Sequence, residues 1–150
     1  MKIRTGFVSN SSSSSFVVIG NSGNRFFGFE NNKKLVVDGE FGETEFGWGP
    51  DVITGAESMI IFAYLQAQYC KERGIDYLTI LEKVIKDNTK IEEITWEVSL
   101  DWDSGDNWGY IDHQSSAVDG ENLEIFESEE VLRDFLFDVK SKVVLDNDNH

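Results

Sequence analysis

The sequence predicts a single α+β domain over residues 1–150, with an antiparallel or mixed sheet packed against about three helices. Three patterns carry that expectation. Ile94, Trp96, Val98, Leu100 and Trp102 alternate with Glu93, Thr95, Glu97, Ser99 and Asp101, the period of a half-buried strand. Met59 to Leu65 is apolar without interruption, inside a segment with helix start and stop signals. Tyr77, Leu78, Leu81, Val84 and Ile85 fall on one helical face. No internal repeat and no clear domain boundary interrupts this mixture.

Taken in order, Met1 to Val8 reads as a short strand and Ser9 to Ser15 as a flexible polar loop. Phe16 to Ile19 is a buried strand. Gly20-Asn21-Ser22-Gly23-Asn24 has the chemistry of a turn, because Gly and Asn tolerate positive φ, so Arg25 to Phe29 should return as the second arm of a hairpin. Leu35 to Val37 is a further strand, followed by a Gly- and Glu-rich loop from Gly39 to Pro50. Thr54-Gly55-Ala56-Glu57 matches a capping box, in which the Thr and Glu side chains each satisfy a backbone N–H. The helix it opens should be central, with Lys71 and Arg73 favouring its C-terminal dipole and Gly74 stopping it. Asp76 can cap the second helix. The strand at 94–102 should turn through Asp103 to Asn107 into a partner at Trp108 to His113, setting Trp102 against Trp108. Leu123 to Phe126 reads as a strand, Ser128 as the cap of a short helix to Phe137, Lys142 to Leu145 as a closing strand, and 146–150 as a polar tail. The helix around Phe62 is expected to pack on the face formed by Trp96, Val98 and Leu100.

Composition sets the class. A chain of 150 residues, 40% hydrophobic and 13% aromatic, can bury a core. Its one cysteine, Cys70, stands among apolar residues and has no partner for an internal disulfide, which fits a reducing cytoplasm. No apolar run behind a basic start indicates a signal peptide, and the longest fully apolar run is far short of the roughly 20 residues a membrane-crossing helix needs. The formal charge of -15 is uneven. Residues 1–37 carry five basic groups and one acidic, whereas residues 38–150 carry eight and 27. From Ile91 to Leu132 there are 13 acidic side chains and no Lys or Arg. Such a surface repels nucleic acid and favours basic partners. Pairing between the basic N-terminal strands and the acidic remainder would absorb part of the asymmetry internally.

The opening Arg4-Thr5-Gly6-Phe7-Val8-Ser9-Asn10-Ser11, running to Ser15-Phe16, resembles the start of a loose group of small bacterial and bacteriophage proteins with no established activity. Gly109-Tyr110-Ile111-Asp112-His113-Gln114-Ser115 and Val144-Leu145-Asp146-Asn147-Asp148-Asn149 are similar to members of that group. The resemblance implies a prokaryotic or phage origin and carries no catalytic residue across.

Chemistry-bearing constellations are few. Asp101-Trp102-Asp103-Ser104 after a strand matches the start of phosphatases that use an aspartyl nucleophile. An alternating strand, only 49 following residues and no matching Lys all count against that assignment. Asp101, Asp103, Asp106 and His113 are the alternative set for a metal-dependent hydrolase. An EF-hand is a poor match, since Gly105 and Asp106 occupy its fifth and sixth positions in reverse and the flanks read as strands. Adjacent Asp112 and His113 point to opposite faces of a strand, and two His with one Cys are too few for a typical zinc site. Cys70 on a buried helix reads as an inert core thiol. The loop from Gly39 to Pro50 lacks Lys and carries Glu40, Glu43 and Glu45, so it would repel phosphate.

The expectation is therefore a cytoplasmic, cofactor-free protein that works by binding a basic protein, without direct contact to nucleic acid or membrane. In a phage setting it would modulate or inhibit a nucleic-acid-handling host or defence protein, its carboxylates standing in for phosphates. Glu93, Glu97, Asp101, Asp103, Asp106 and Trp108 form the expected surface, with Trp48 or Trp108 as the anchoring aromatic. The bland alternative is a domain whose charge only maintains solubility.

Overall fold

A helix that is apolar on every side has to be surrounded. That helix is α1, Ala56–Lys71, with twelve of its sixteen residues buried. The computed structural model describes residues 13–25, 27–46, 51–111 and 122–147. Around α1 it sets α2 (Leu78–Asn88), α3 (Glu129–Phe137) and a set of short strands. Phe62 lies at the centre, with the Phe46 ring 5.0 Å away edge-on and the Phe135 ring at 5.9 Å. This is the α+β architecture expected, with three α-helices among the described residues.

The described strands divide into three small sheets. β1 (Ser13–Val18), β4 (Asp51–Thr54) and β7 (Lys142–Asn147) form an antiparallel sheet with β7 in the middle. Leu145 faces both Ser15 and Asp51, and Lys142 faces both Val18 and Thr54. Val143 and Leu145 are buried while Lys142 and Val144 are half-buried, the period of two that puts one face on the core. β2 (Lys34–Val37) pairs in parallel with β5 (Glu93–Trp96), and β3 (Glu45–Phe46) pairs in parallel with β6 (Tyr110–Ile111).

Helix ends follow local chemistry in three places and depart from it in one. Gly74, at φ 81°, ends α1 in a Schellman turn: the Ile75 N–H reaches the Cys70 carbonyl and the Gly74 N–H the Lys71 carbonyl, both at 3.0 Å. Asp76 Oδ1 accepts from the N–H groups of Leu78 and Thr79, and its Oδ2 accepts the Thr79 hydroxyl at 2.7 Å. Those donors hold its carboxyl below the ordinary aspartate value. Ser128 Oγ accepts the Val131 N–H at 3.1 Å and caps α3. The expected capping box at Thr54 and Glu57 does not form. Thr54 is paired with Lys142 in β4, and the N-cap is Gly55 at φ 101°, with no side-chain cap. The chain passes straight from strand to helix through a conformation that glycine tolerates.

Four other expectations change. Gly23 turns the chain at φ 79°, but Arg25 to Phe29 is no hairpin arm; β7 occupies the place beside β1. Phe27 instead packs on Phe137 at 4.4 Å and Phe29 on Phe41 at 5.5 Å, so apolar burial wins over strand pairing. Ser13 to Ser15 belong to β1 by their backbone, while residues 9–12 and the strand expected at Met1 to Val8 lie outside the described residues. As far as Ile111, the last described residue of the expected 108–113 arm, the hairpin with 94–102 is replaced by a loop, since β5 ends at Trp96 and pairs with β2, while β6 pairs with β3. Asn122–Phe126 is a 3-10 turn, with the Phe126 ring stacked on Tyr77 at 4.3 Å.

The segment 20–25 is clipped onto the link between α3 and β7. Buried Asp138 accepts the Ser22 hydroxyl, the Gly23 N–H and the Lys140 N–H, each at 2.9 Å. Buried Ser141 accepts the Gly20 N–H at 2.9 Å and donates to the Asp134 carbonyl at 2.6 Å. The Val139 N–H meets the Asn24 carbonyl, and Arg25 lies 3.8 Å from Asp134.

Candidate interaction surface

The outward side of the β2–β5 ribbon carries Lys34 and Val36 on one strand, with Glu93 and Thr95 on the other. Glu93 and Glu97 are exposed as expected, yet Lys34 is the register partner of Glu93, so one cation interrupts the row. Inward, Trp96 stacks flat on Tyr64, 4.2 Å between ring centres and 2° between planes, and its indole N–H donates to Glu82 Oε2 at 2.7 Å. Burial pushes the Tyr64 hydroxyl above its ordinary pKa, and the nearby Glu82 carboxylate pushes it further. The expected packing of α1 is present in part: Trp96 lies against Tyr64 and Val98 lies close to Leu65 at Gly109, but Val98 and Leu100 lie beyond the end of β5, so the three do not form one sheet face.

The alternating pattern outlives the strand. The N–H groups of Glu97 and Val98 both address the Val37 carbonyl, at 2.8 and 3.1 Å, which ends the ladder. Val98 stays buried and Leu100 half-buried. The Ser99 N–H reaches the Asn107 carbonyl and the Gly109 N–H reaches the Ser99 carbonyl, a single parallel bridge between Ser99 and Trp108. Residues 100–107 form the loop between them, tightened by the Ser104 N–H on the Asp101 carbonyl and by Gly105 at φ 66°.

That loop is brought against a second acidic turn. The Gly39 N–H donates to Asn107 Oδ1 at 2.8 Å, and a Cβ at Gly39 would overlap the Asp106 carbonyl oxygen. Only glycine allows so close an approach of two backbones. Asp38, whose Oδ1 accepts the Glu40 N–H, and Glu40 thus stand beside the turn holding exposed Asp101, Asp103 and Asp106. None of these five carboxylates makes an ion pair among the described residues, whereas Asp134, Asp87 and Glu129 do.

Trp102 projects from this tip at 83% exposure. The hairpin expected to set it against Trp108 is absent, and Trp108 is half-buried with its ring 5.6 Å from the Tyr110 ring. The misplacement has a plain cause: the alternating pattern assigns Trp102 to the inner face, but after Leu100 the chain enters the turn closed by the Ser104 N–H on the Asp101 carbonyl. Its neighbours Asp101, Asp103, Ser104 and Gly105 are turn formers, and that signal points to exposure. Trp48, Asp112 and His113 lie outside the described residues.

Among the described residues, no three His, Cys, Asp or Glu side chains converge where they could hold a metal ion. Asp101, Asp103 and Asp106 are all exposed. Cys70 is buried, and burial raises its thiol pKa, which disfavours the reactive thiolate. No described helix is long and apolar enough to cross a membrane. No family model, curated protein or solved structure matches the chain.

Proposed function

We propose that the protein acts by binding, and that the tip built from residues 38–40 and 101–106 receives a basic protein partner. The observation that carries this reading is Trp102, almost fully exposed between Asp101 and Asp103 on a loop fixed by backbone hydrogen bonds. A large aromatic left in water by the fold supplies anchoring area, and surrounding carboxylates supply steering and register. The partner class that fits is a protein with a cationic, phosphate-binding surface, where these carboxylates would occupy the places of phosphates. Modulation of such a nucleic-acid-handling protein, in a bacterial or phage setting, is the finer form of the proposal.

The test compares what the wild-type chain, Trp102→Ala and the triple variant Asp101→Asn/Asp103→Asn/Asp106→Asn each retain from a bacterial lysate at low and moderate salt. A basic, nucleic-acid-binding protein held by the wild type, released by salt and lost in both variants is the expected result. Identical captured sets for all three chains would overturn the assignment. A central tryptophan is worth about 2 kcal/mol or more when it anchors an interface, so its loss should weaken binding roughly 30-fold.

A further inference from the structure

Where α1 gives way to α2, the chain leaves a cavity of about 440 Å³ apart from the acidic tip. Lys71, Ile75, Asp76, Leu78, Thr79 and Glu82 line it. The turn at Gly74 creates its floor. In a Schellman turn the residue after the glycine usually packs on the helix residue whose carbonyl it bonds. That pair is Ile75 and Cys70 here, and Cys70 is buried while Ile75 stays 46% exposed. Ile75 and half-buried Leu78 therefore offer an uncovered apolar surface inside a concave site.

The polar groups around that floor differ in what they have left to offer. Asp76 commits both oxygens to the start of α2. The Thr79 hydroxyl donates to Asp76 and keeps its lone pairs. Glu82 uses Oε2 for the Trp96 indole and retains Oε1. Lys71 makes no ion pair among the described residues. One ammonium donor and one carboxylate oxygen thus remain beside an apolar floor, in a lining with one positive and two negative side chains.

We propose that this cavity binds a free α-amino acid with an apolar side chain. Its carboxylate meets Lys71, its ammonium meets Glu82 and the Thr79 oxygen, and its side chain covers Ile75 and Leu78. A simple anion would face two carboxylates and a simple amine would face Lys71, whereas a zwitterion satisfies both ends. The volume falls within the few hundred Å³ typical of small-ligand sites.

The Trp96 indole N–H, bonded to Glu82, is a built-in reporter. The full chain is titrated with L-phenylalanine, L-phenylalaninamide and N-acetyl-L-phenylalanine while amide and indole N–H resonances are followed by NMR. L-Phenylalanine should shift the Trp96 indole and the Gly74 and Ile75 amides saturably. The two analogues, each lacking one charge, should bind at least about tenfold more weakly, and Lys71→Met should reduce L-phenylalanine to the level of its amide. Lys71 is exposed in the last turn of α1, so this variant should lose no more than the roughly 0.3–1 kcal/mol of a cation at a helix C-terminus and remain folded. The proposal is overturned by no saturable shift at about 10 mM L-phenylalanine, by equal affinity for the three probes, or by shifts confined to the Trp102 tip.

Discussion

Replacing Asp138 by alanine should destabilise the protein by about 3 kcal/mol at neutral pH. Three donors converge on its buried carboxylate, from Ser22, Gly23 and Lys140. A hydrogen bond to a charged group contributes roughly 1.5–3 kcal/mol, which would give a larger total if the three were independent. They share one carboxylate, and Ser22, Gly23 and Lys140 lie at the surface, where water can replace part of what is lost. Even the reduced figure is a large fraction of the 5–15 kcal/mol typical of a domain. Burial would raise the Asp138 pKa, but the donors outweigh it and hold the carboxyl below the ordinary aspartate value. Its contribution is therefore complete above the unfolded value near pH 4 and is lost as pH falls through the lower folded value. Urea unfolding followed by tryptophan fluorescence, at pH 7 and at steps down to pH 3, measures both effects. Asp138→Asn keeps the shape but cannot titrate, so its curve should flatten over the acid range where the wild type loses stability. The reasoning fails if Asp138→Ala unfolds within about 0.5 kcal/mol of the wild type at pH 7, or if wild type and Asp138→Asn lose stability in parallel on acidification.

Three further outcomes follow from the geometry. Phe62→Ala, at the centre of the Phe46 and Phe135 cluster, should cost about 3–5 kcal/mol in urea unfolding, through lost burial and the cavity left behind. Gly39→Ala should cost about 2 kcal/mol and lower the melting temperature, because its Cβ must push the Asp106 backbone away. Trp102→Ala should change unfolding free energy by less than about 0.5 kcal/mol, since the ring is exposed; a larger loss would mean that it packs on the fold and is not held for a partner.

How much of this was legible in the sequence depends on the reach of each signal. Asp76 and Ser128 act on N–H groups two or three residues away, so their capping roles could be read directly. Gly74 likewise closes a turn within six residues. Thr54 failed because its competing partner, Lys142, is distant in the chain, and strand pairing took the residue that a local rule assigned to the helix. The two parallel ribbons were illegible for the same reason: nothing near Lys34 announces Glu93, and nothing near Glu45 announces Tyr110. At the tip, the acids at 101, 103 and 106 were visible in the sequence. Their junction with Asp38 and Glu40 was not, because it depends on two backbones meeting at a residue without a side chain. Trp102 was visible but assigned to the wrong face, since the alternation that runs past β5 through Val98 and Leu100 stops at the turn that begins at Asp101.

The middle position of β7 also bears on the order in which the chain can acquire its structure. β1 and β4 do not touch each other as neighbours; each is hydrogen-bonded to β7. During synthesis both must therefore wait, with their edges open, until Lys142 to Asn147 has emerged, some 88 residues after β4. The helices can form earlier from contacts within and between neighbouring segments, while this sheet is a late event that depends on closing long loops. A nascent chain stalled before Lys142 would present two unpaired strands at once, the state in which such a protein is most exposed to mispairing and to capture by chaperones.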